Sequence, residues 1–135
     1  MACPSPISTH TRSISINWPR CSMRWAWQRR TANPARLAHL VSGSLWVVSA
    51  WEGDQLVGFA RAITDGAFNA YISTVAVLPA YQRRGIGREL VRRLMDNRDG
   101  IQFVLHANDR AYPFYLHLGL DFQPFDNVLM RPRKF

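Results

Sequence analysis

Residues 82–87 read Gln82-Arg83-Arg84-Gly85-Ile86-Gly87, and Arg88 follows. Basic side chains around two glycines at the start of a helix are a means of holding phosphate. The first N–H groups of a helix lack partners within it, and the helix dipole puts partial positive charge there. An anion satisfies both. Gly85 and Gly87 would let a pyrophosphate approach the backbone with no Cβ in the way. Arg83, Arg84 and Arg88 would add charge. Two better-known glycine loops do not fit. The Walker loop needs a Gly-Lys pair, and the only Lys of the chain is Lys134. The dinucleotide fingerprint needs a third Gly where Leu90 stands. A plain turn before an amphipathic helix would also carry a lone G-x-G.

The elements that must position this loop follow from periodicity. Residues 1–13, rich in Ser, Thr and Pro, read as a disordered basic arm, and residues 14–135 as a single domain. A short strand is expected over 12–18, ended by Pro19. Helix is expected over 20–42, interrupted at Asn33-Pro34, where Pro suits a first turn. Strands over 45–51 and 55–63 form a hairpin around Glu52-Gly53-Asp54. Asp65-Gly66 marks the next turn, and 70–77 the next strand, closed by Pro79. Ile86, Leu90 and Leu94 form an apolar stripe on a helix over 85–97. Glu89–Arg93 and Arg92–Asp96 are spaced as ion pairs on it. A strand over 101–107 follows. Asn108 or Asp109 can cap a last helix running to 118, with Gly119 as its C′ residue. Strands over 121–125 and 128–132 would close a mixed α/β sheet.

Composition narrows the function classes. A chain of 135 residues with 47% hydrophobic and 19% charged residues is globular and holds one domain. So small a domain hides its apolar surface incompletely, which would suit a homodimer. The net charge of +8 favours anionic partners: nucleic acid, a membrane surface or a phosphorylated cofactor. Cys3 and Cys21 belong to no ligand spacing, so neither zinc nor a disulfide framework is expected, and a cytoplasmic location is. No run is long and apolar enough for a membrane span. No acid precedes Glu52, whereas six Arg do. An exposed basic arm explains that better than a transit peptide, because these Arg share no helix face. No aromatic–basic RNP string, zinc finger or helix-turn-helix is present, so nucleic-acid binding ranks last.

Taken whole, residues 82–87 resemble motif A of the GNAT superfamily of N-acetyltransferases, written Q/R-x-x-G-x-G/A. The expected Val-x-Pro precedes it as Val77-Leu78-Pro79. Asn108, Ala111, Phe114-Tyr115 and Leu118-Gly119-Leu120 are similar to the family's N-x-x-A-x-x-F-Y-x-x-x-G-F segment, with Leu120 replacing Phe. Leu56-Val57-Gly58-Phe59-Ala60-Arg61 is similar to its third strand. The resemblance covers about residues 45–132. It implies a single-domain α/β fold, with a mixed, mostly antiparallel sheet of about six to seven strands flanked by helices. A splay would separate the fourth and fifth strands.

The implied co-substrate is acetyl-CoA, with no metal, and the implied reaction is direct acetyl transfer to a primary amine. Residues 82–88 would grip the pyrophosphate. The backbone of Val75, Ala76 and Val77 would hold the pantetheine arm and the thioester, and Asn108 would contact that arm. Tyr115 would protonate the departing thiolate. Where many members carry an acidic base, this chain has Thr74. Asp65, Glu52, His106 or a water chain are the remaining candidates for the base. Tyr71 and Trp46 could line an acceptor pocket or simply pack. A catalytically silent fold that binds CoA or a protein partner is the second reading.

Overall fold

The computed structural model describes residues 8–10 and 34–131. A five-stranded sheet runs in the order β1 (Ser8–His10), β2 (Trp46–Glu52), β3 (Gln55–Thr64), β4 (Asn69–Val77), β5 (Gln102–Leu105). Neighbours from β1 to β4 are antiparallel, and β4 and β5 are parallel. The parallel step requires a crossover. It is made by a 3-10 turn (Pro79–Tyr81) and a helix over Ile86–Met95. With α1 at Pro34–Ser42, that crossover helix is α2, and α3 spans Tyr112–Leu116. This is the expected mixed α/β fold.

The apolar stripe drives α2 onto the sheet. Ile86, Leu90, Val91 and Leu94 are buried against β2, β3 and β4. Burying each such side chain contributes roughly 1.5–3 kcal/mol. Gly58 permits the close approach: a Cβ there would lie 3.0 Å from Leu90 Cδ1. Glu89, in the first turn of α2, accepts from both Arg92 (2.9 and 2.6 Å) and Arg93 (2.8 Å). These guanidinium bonds hold its carboxyl down at about 2. They also neutralise a negative charge beside a helix end that favours anions. The Arg92–Asp96 pair expected from spacing is not among the ion pairs of the described residues. Asp96 has already left the helix, with ψ 134°, so the i,i+4 geometry is lost.

A β-bulge interrupts β4. Arg61 pairs with Thr74, but Ala62 pairs with Ile72, so Ser73 is one residue extra. An extra residue reverses which side chains face the core. Before it, Ala70 and Ile72 lie in the core under α2; after it, Val75 and Val77 pack there. Thr74 and Ala76 are therefore turned to the opposite face, where both are buried.

Three expectations change. Ser8–His10 is an edge strand, inside the stretch read as an arm; the strand and helix expected over 12–33 lie outside the described residues. The last helix is five residues long; Gly119, expected at C′, has φ 74° but stands two residues past the C-cap His117. No strand forms over 121–131, so the sheet has five described strands rather than six to seven. Pro124 interrupts the ladder donors there. Phe125, Val128, Leu129 and Met130 are all exposed, so no buried face fixes a register.

The β3–β4 turn is held by Asp65. Its Oδ1 accepts from the N–H groups of Phe68 and Ala67 (both 2.8 Å) and Asn69 (3.1 Å). The Phe68 bond, then those of Ala67 and Asn69, lower its pKa from 3.8 to about 2. A carboxylate whose folded value lies below its unfolded one stabilises the fold above the unfolded value. It loses that contribution as pH falls through the folded one. Asp65→Ala is therefore expected to lower Tm at pH 7, with the gap from wild type closing between pH 3.8 and about 2. Thermal melts across that range would measure it; equal Tm at pH 7 would refute the assignment.

Candidate functional site

β4 and β5 pair only from Asn69↔Gln102 to Ile72↔Leu105. Beyond Ile72 the strands part, at the bulge residue Ser73. β4 runs on to Val77 with β3 on one side only. The direction of its polar groups follows from one bond. Leu78 donates its N–H to Val57 on β3 (2.9 Å). Backbone groups alternate sides along a strand, so Ala76 and Thr74 also address β3. Val75 and Val77 present theirs to the open side. This corrects the grouping of Val75, Ala76 and Val77. Ala76 turns its backbone to β3 and its buried methyl to the face away from α2. The carbonyl of Val77 is moreover taken by Gln82 Nε2 (3.1 Å). What remains on the edge is the Val77 N–H and both polar groups of Val75.

That edge leads into the start of α2. Gly85 is the N-cap at φ 80°, and no side chain caps the helix. A Cβ on Gly85 would meet nothing within 4 Å. The space before the first N–H groups is thus open, and glycine is there for its backbone conformation. Arg83 also has positive φ, 61°, a conformation that costs a non-glycine residue about 1–2 kcal/mol. Left-handed residues in such turns aim successive N–H groups into one concavity, a shape that binds anions.

The other cradle residues divide. Arg84 is exposed and stacks on the Tyr81 ring, 5.1 Å from its centroid. The Tyr81 hydroxyl donates to Glu52 Oε2, a bond that raises its pKa. Ile86 has its side chain in the core, so only its backbone can serve a ligand. Gly87 is glycine for a packing reason. Its Cβ position lies 3.3 Å from the Phe114 ring, so this glycine admits α3 against α2. Arg88 is drawn away as well, with Nε donating to the Leu118 carbonyl (3.1 Å). Arg88 and Gly87 thus tie the two motifs together.

Asn108 caps the turn into α3, its Oδ1 accepting from Ala111 N–H (2.9 Å); it is exposed. Tyr115 is half-buried, edge-on to Phe114 (5.0 Å) and Phe122 (5.7 Å). Burial pushes its phenol above 10. No hydrogen bond of that hydroxyl is made among the described residues. Of the candidate bases, Asp65 is committed to its turn and Glu52 to Tyr81. His106 is exposed, one residue past the last β4–β5 pair. Trp46 packs beneath Arg98 (4.0 Å) and near Phe103 (6.1 Å), and Tyr71 is exposed. Among the described residues, no cluster of His, Cys, Asp or Glu could hold a metal, and no helix is long and apolar enough to cross a membrane.

One residue escaped the sequence reading. Arg61 is only 7% exposed, and its guanidinium donates to Thr74 Oγ1 (3.0 Å), Ser73 Oγ (2.9 Å), Ser44 Oγ (2.9 Å) and Leu40 O (3.4 Å). The available signal was a lone charge inside the apolar run of β3.

Comparison with known proteins adds three findings. Residues 14–120 match the Acetyltransferase (GNAT) family. Histone acetyltransferase TAP1 of Glycine max is 40% identical over 76 residues, 54% of this chain and 33% of that protein. The chain thus spans about a third of the length of that relative. Two solved structures share the fold. A putative acetyltransferase of Deinococcus radiodurans R1 has a TM-score of 0.78 and 24% identity, over 97% of this chain and 92% of that one. Aminoglycoside N-acetyltransferase AAC(6')-Iy, solved in complex with CoA, has a TM-score of 0.68 and 16% identity, over 99% of this chain and all of the other.

Proposed function

The chain belongs to the acetyltransferase (GNAT) family, and from that premise we propose that it moves an acetyl group from acetyl-CoA to a primary amine by direct attack in a ternary complex. The observation that carries this reading is the continuity of two features. An unpaired strand edge at Val75 and Val77 runs into an uncapped helix start at Gly85. An amide-bearing arm can pair with the first, and a pyrophosphate can sit on the second.

In this reading the N–H groups at the start of α2, with Arg83 and Arg84, hold the pyrophosphate. Arg88 and the side chain of Ile86 support the cradle rather than touch the ligand. The Val75 backbone holds the thioester end, and its N–H stabilises negative charge as it develops on the thioester oxygen. The amine nitrogen bonds to the carbonyl carbon, and the carbon–sulfur bond breaks. The thiolate leaves beside Tyr115, whose phenol can donate a proton. Asn108 contributes its side-chain Nδ2, which carries two N–H donors, to the arm.

The amine must lose a proton. Thr74, at the position where an acid is common, is buried and accepts from Arg61. His106, at the point where β4 and β5 part, is the candidate left. His106→Gln is expected to lower kcat about ten-fold, below the usual range of about 10²–10⁴, because water reaches this exposed position and can take the proton instead; an unchanged kcat would assign this proton to solvent alone.

The decisive experiment is calorimetric titration with CoA, followed by thiol-release assays over a panel of amines. Binding with turnover supports the reading. Binding without turnover favours the silent fold, and no binding overturns acetyl transfer and leaves only a silent fold that binds a protein partner. Gly85→Val provides the internal control. A β-branched residue at φ 80° is strained by about 1–3 kcal/mol. CoA affinity should fall about ten-fold, equivalent to roughly 1.4 kcal/mol.

A further inference from the structure

We propose that Arg61 is a positioning residue for acetyl transfer, which clamps the β4 bulge and so sets the direction of the Val75 amide on the open edge. The inference rests on the acetyl-transfer reading above. It starts from the two residues of the bulge. Ser73 is the extra residue, and Thr74 is the partner of Arg61 across the ladder. Arg61 Nη2 donates to Ser73 Oγ (2.9 Å), and Nε donates to Thr74 Oγ1 (3.0 Å). Adjacent side chains on a regular strand point to opposite faces. One planar group bonding both is possible because the bulge breaks that alternation. The bond pair, in turn, holds the broken alternation in one conformation.

A bulge is otherwise a soft place. The extra residue has lost its ladder partner, and here β5 has also departed, since its last pair is Ile72↔Leu105. The backbone between Ser73 and Val75 has β3 as its only strand neighbour. Val75 follows Thr74 directly, so rotation at the bulge re-aims its N–H. Donors that stabilise developing charge must be fixed before the reaction to be effective. Arginine suits this work because its five N–H donors lie in a rigid plane, whereas lysine offers three from a single point.

The same guanidinium reaches the far side of the site. Nη1 donates to Ser44 Oγ (2.9 Å), in the segment joining α1 to β2, and to the carbonyl of Leu40 (3.4 Å), within α1. Ser44 Oγ itself donates to Leu40 O (2.7 Å). Arg61 therefore couples the proposed thioester-holding stretch of β4 to the end of α1 and the turn into β2. A purely structural anchor would affect stability without changing chemistry. A clamp on the bulge predicts a separation between turnover and donor affinity.

The test uses the full chain with three variants: Ser73→Ala, Thr74→Val and Arg61→Lys. Melting temperature and CoA affinity are measured first. Then kcat is measured, together with the infrared carbonyl frequency of bound acetyl-CoA carrying 13C at the thioester carbon. The expected result for Ser73→Ala and Thr74→Val is CoA affinity within two-fold of wild type and kcat about ten-fold lower, the size of one lost oriented bond of roughly 1.4 kcal/mol. The carbonyl band should move toward its frequency in water. Arg61→Lys should lose more than either. The two hydroxyl variants each remove one bond and keep the buried charge, so the test stands even if Arg61→Lys fails to fold. Wild-type kcat and carbonyl frequency in both hydroxyl variants would overturn the proposal alone. Absence of CoA binding by the wild-type protein would instead overturn the acetyl-transfer reading and this inference with it. In a chain that binds acetyl-CoA without turnover, the carbonyl band still decides the question.

Discussion

Tyr115→Phe is expected to lower kcat about a hundred-fold while CoA affinity stays within two-fold of wild type. General acid catalysis contributes about 10²–10⁴. A thiol, with a pKa near 8.5, leaves more readily than an amine or alkoxide, which places the effect at the low end. The phenol sits above 10 because burial disfavours its anion. It therefore holds its proton at every physiological pH, and any alkaline limb due to Tyr115 lies above pH 10. Complete transfer to the thiolate is uphill by at least about 2 kcal/mol, the difference between an ordinary phenol and an ordinary thiol. The phenol then acts chiefly as a hydrogen-bond donor while the carbon–sulfur bond breaks. Phenylalanine preserves both ring contacts, with Phe114 and Phe122. The variant should fold normally, so steady-state kinetics beside calorimetry isolates the hydroxyl. A wild-type kcat would remove Tyr115 from the mechanism.

Val75→Pro is expected to cost about 10²–10³ in kcat, the range for one lost oxyanion donor. Proline deletes the N–H and exchanges the partly buried isopropyl group for a ring of similar size. The Val75 donor does not belong to the β3 ladder, because Leu78 and the alternate residues Ala76 and Thr74 carry that pairing. A strand open on that side is where proline is tolerated. The preceding residue must be extended, and Thr74 lies on a strand. Ala76→Pro is the informative contrast. Its N–H faces β3, so it should lower Tm strongly, whereas Val75→Pro should lower kcat far more than Tm. The reverse outcome would mean that the assignment of strand faces is inverted.

The parts of this site legible in the sequence are those made by neighbours in the chain. Residues 82–88 form a contiguous string, and their place between a strand and a helix followed from periodicity. Asn108 and Tyr115 lie close together in the chain and were assigned from the resemblance to the family's second motif. The sequence did not reveal how those residues divide their labour. Gly87 was read as room for phosphate, yet it is occupied by a ring 27 positions later, Phe114. Arg88 was read as a phosphate ligand, yet it binds the Leu118 carbonyl. Ala76 was grouped with Val75, because strand faces depend on where a bulge falls. Arg61 was marked only as a lone charge in an apolar run, and what it binds was out of reach because its partners lie between 12 and 21 residues away. The closing strands over 121–131 failed because an apolar run specifies a strand only where a face is buried.

The open edge of β4 has a consequence for the life of the protein when its ligand is scarce. An unpaired run of strand is a template on which other extended chains can pair, the usual start of aggregation. Sheets commonly hide such edges behind charge, proline or a covering loop. This one must stay bare to do its work. In the proposed reading the pantetheine arm would serve as the missing strand, so the donor would shield this edge from other chains as well as feed the chemistry. At a hundred times its Kd, a ligand adds about 2.7 kcal/mol to the folded state. Supply of the donor would then set both the rate of the protein and its lifetime.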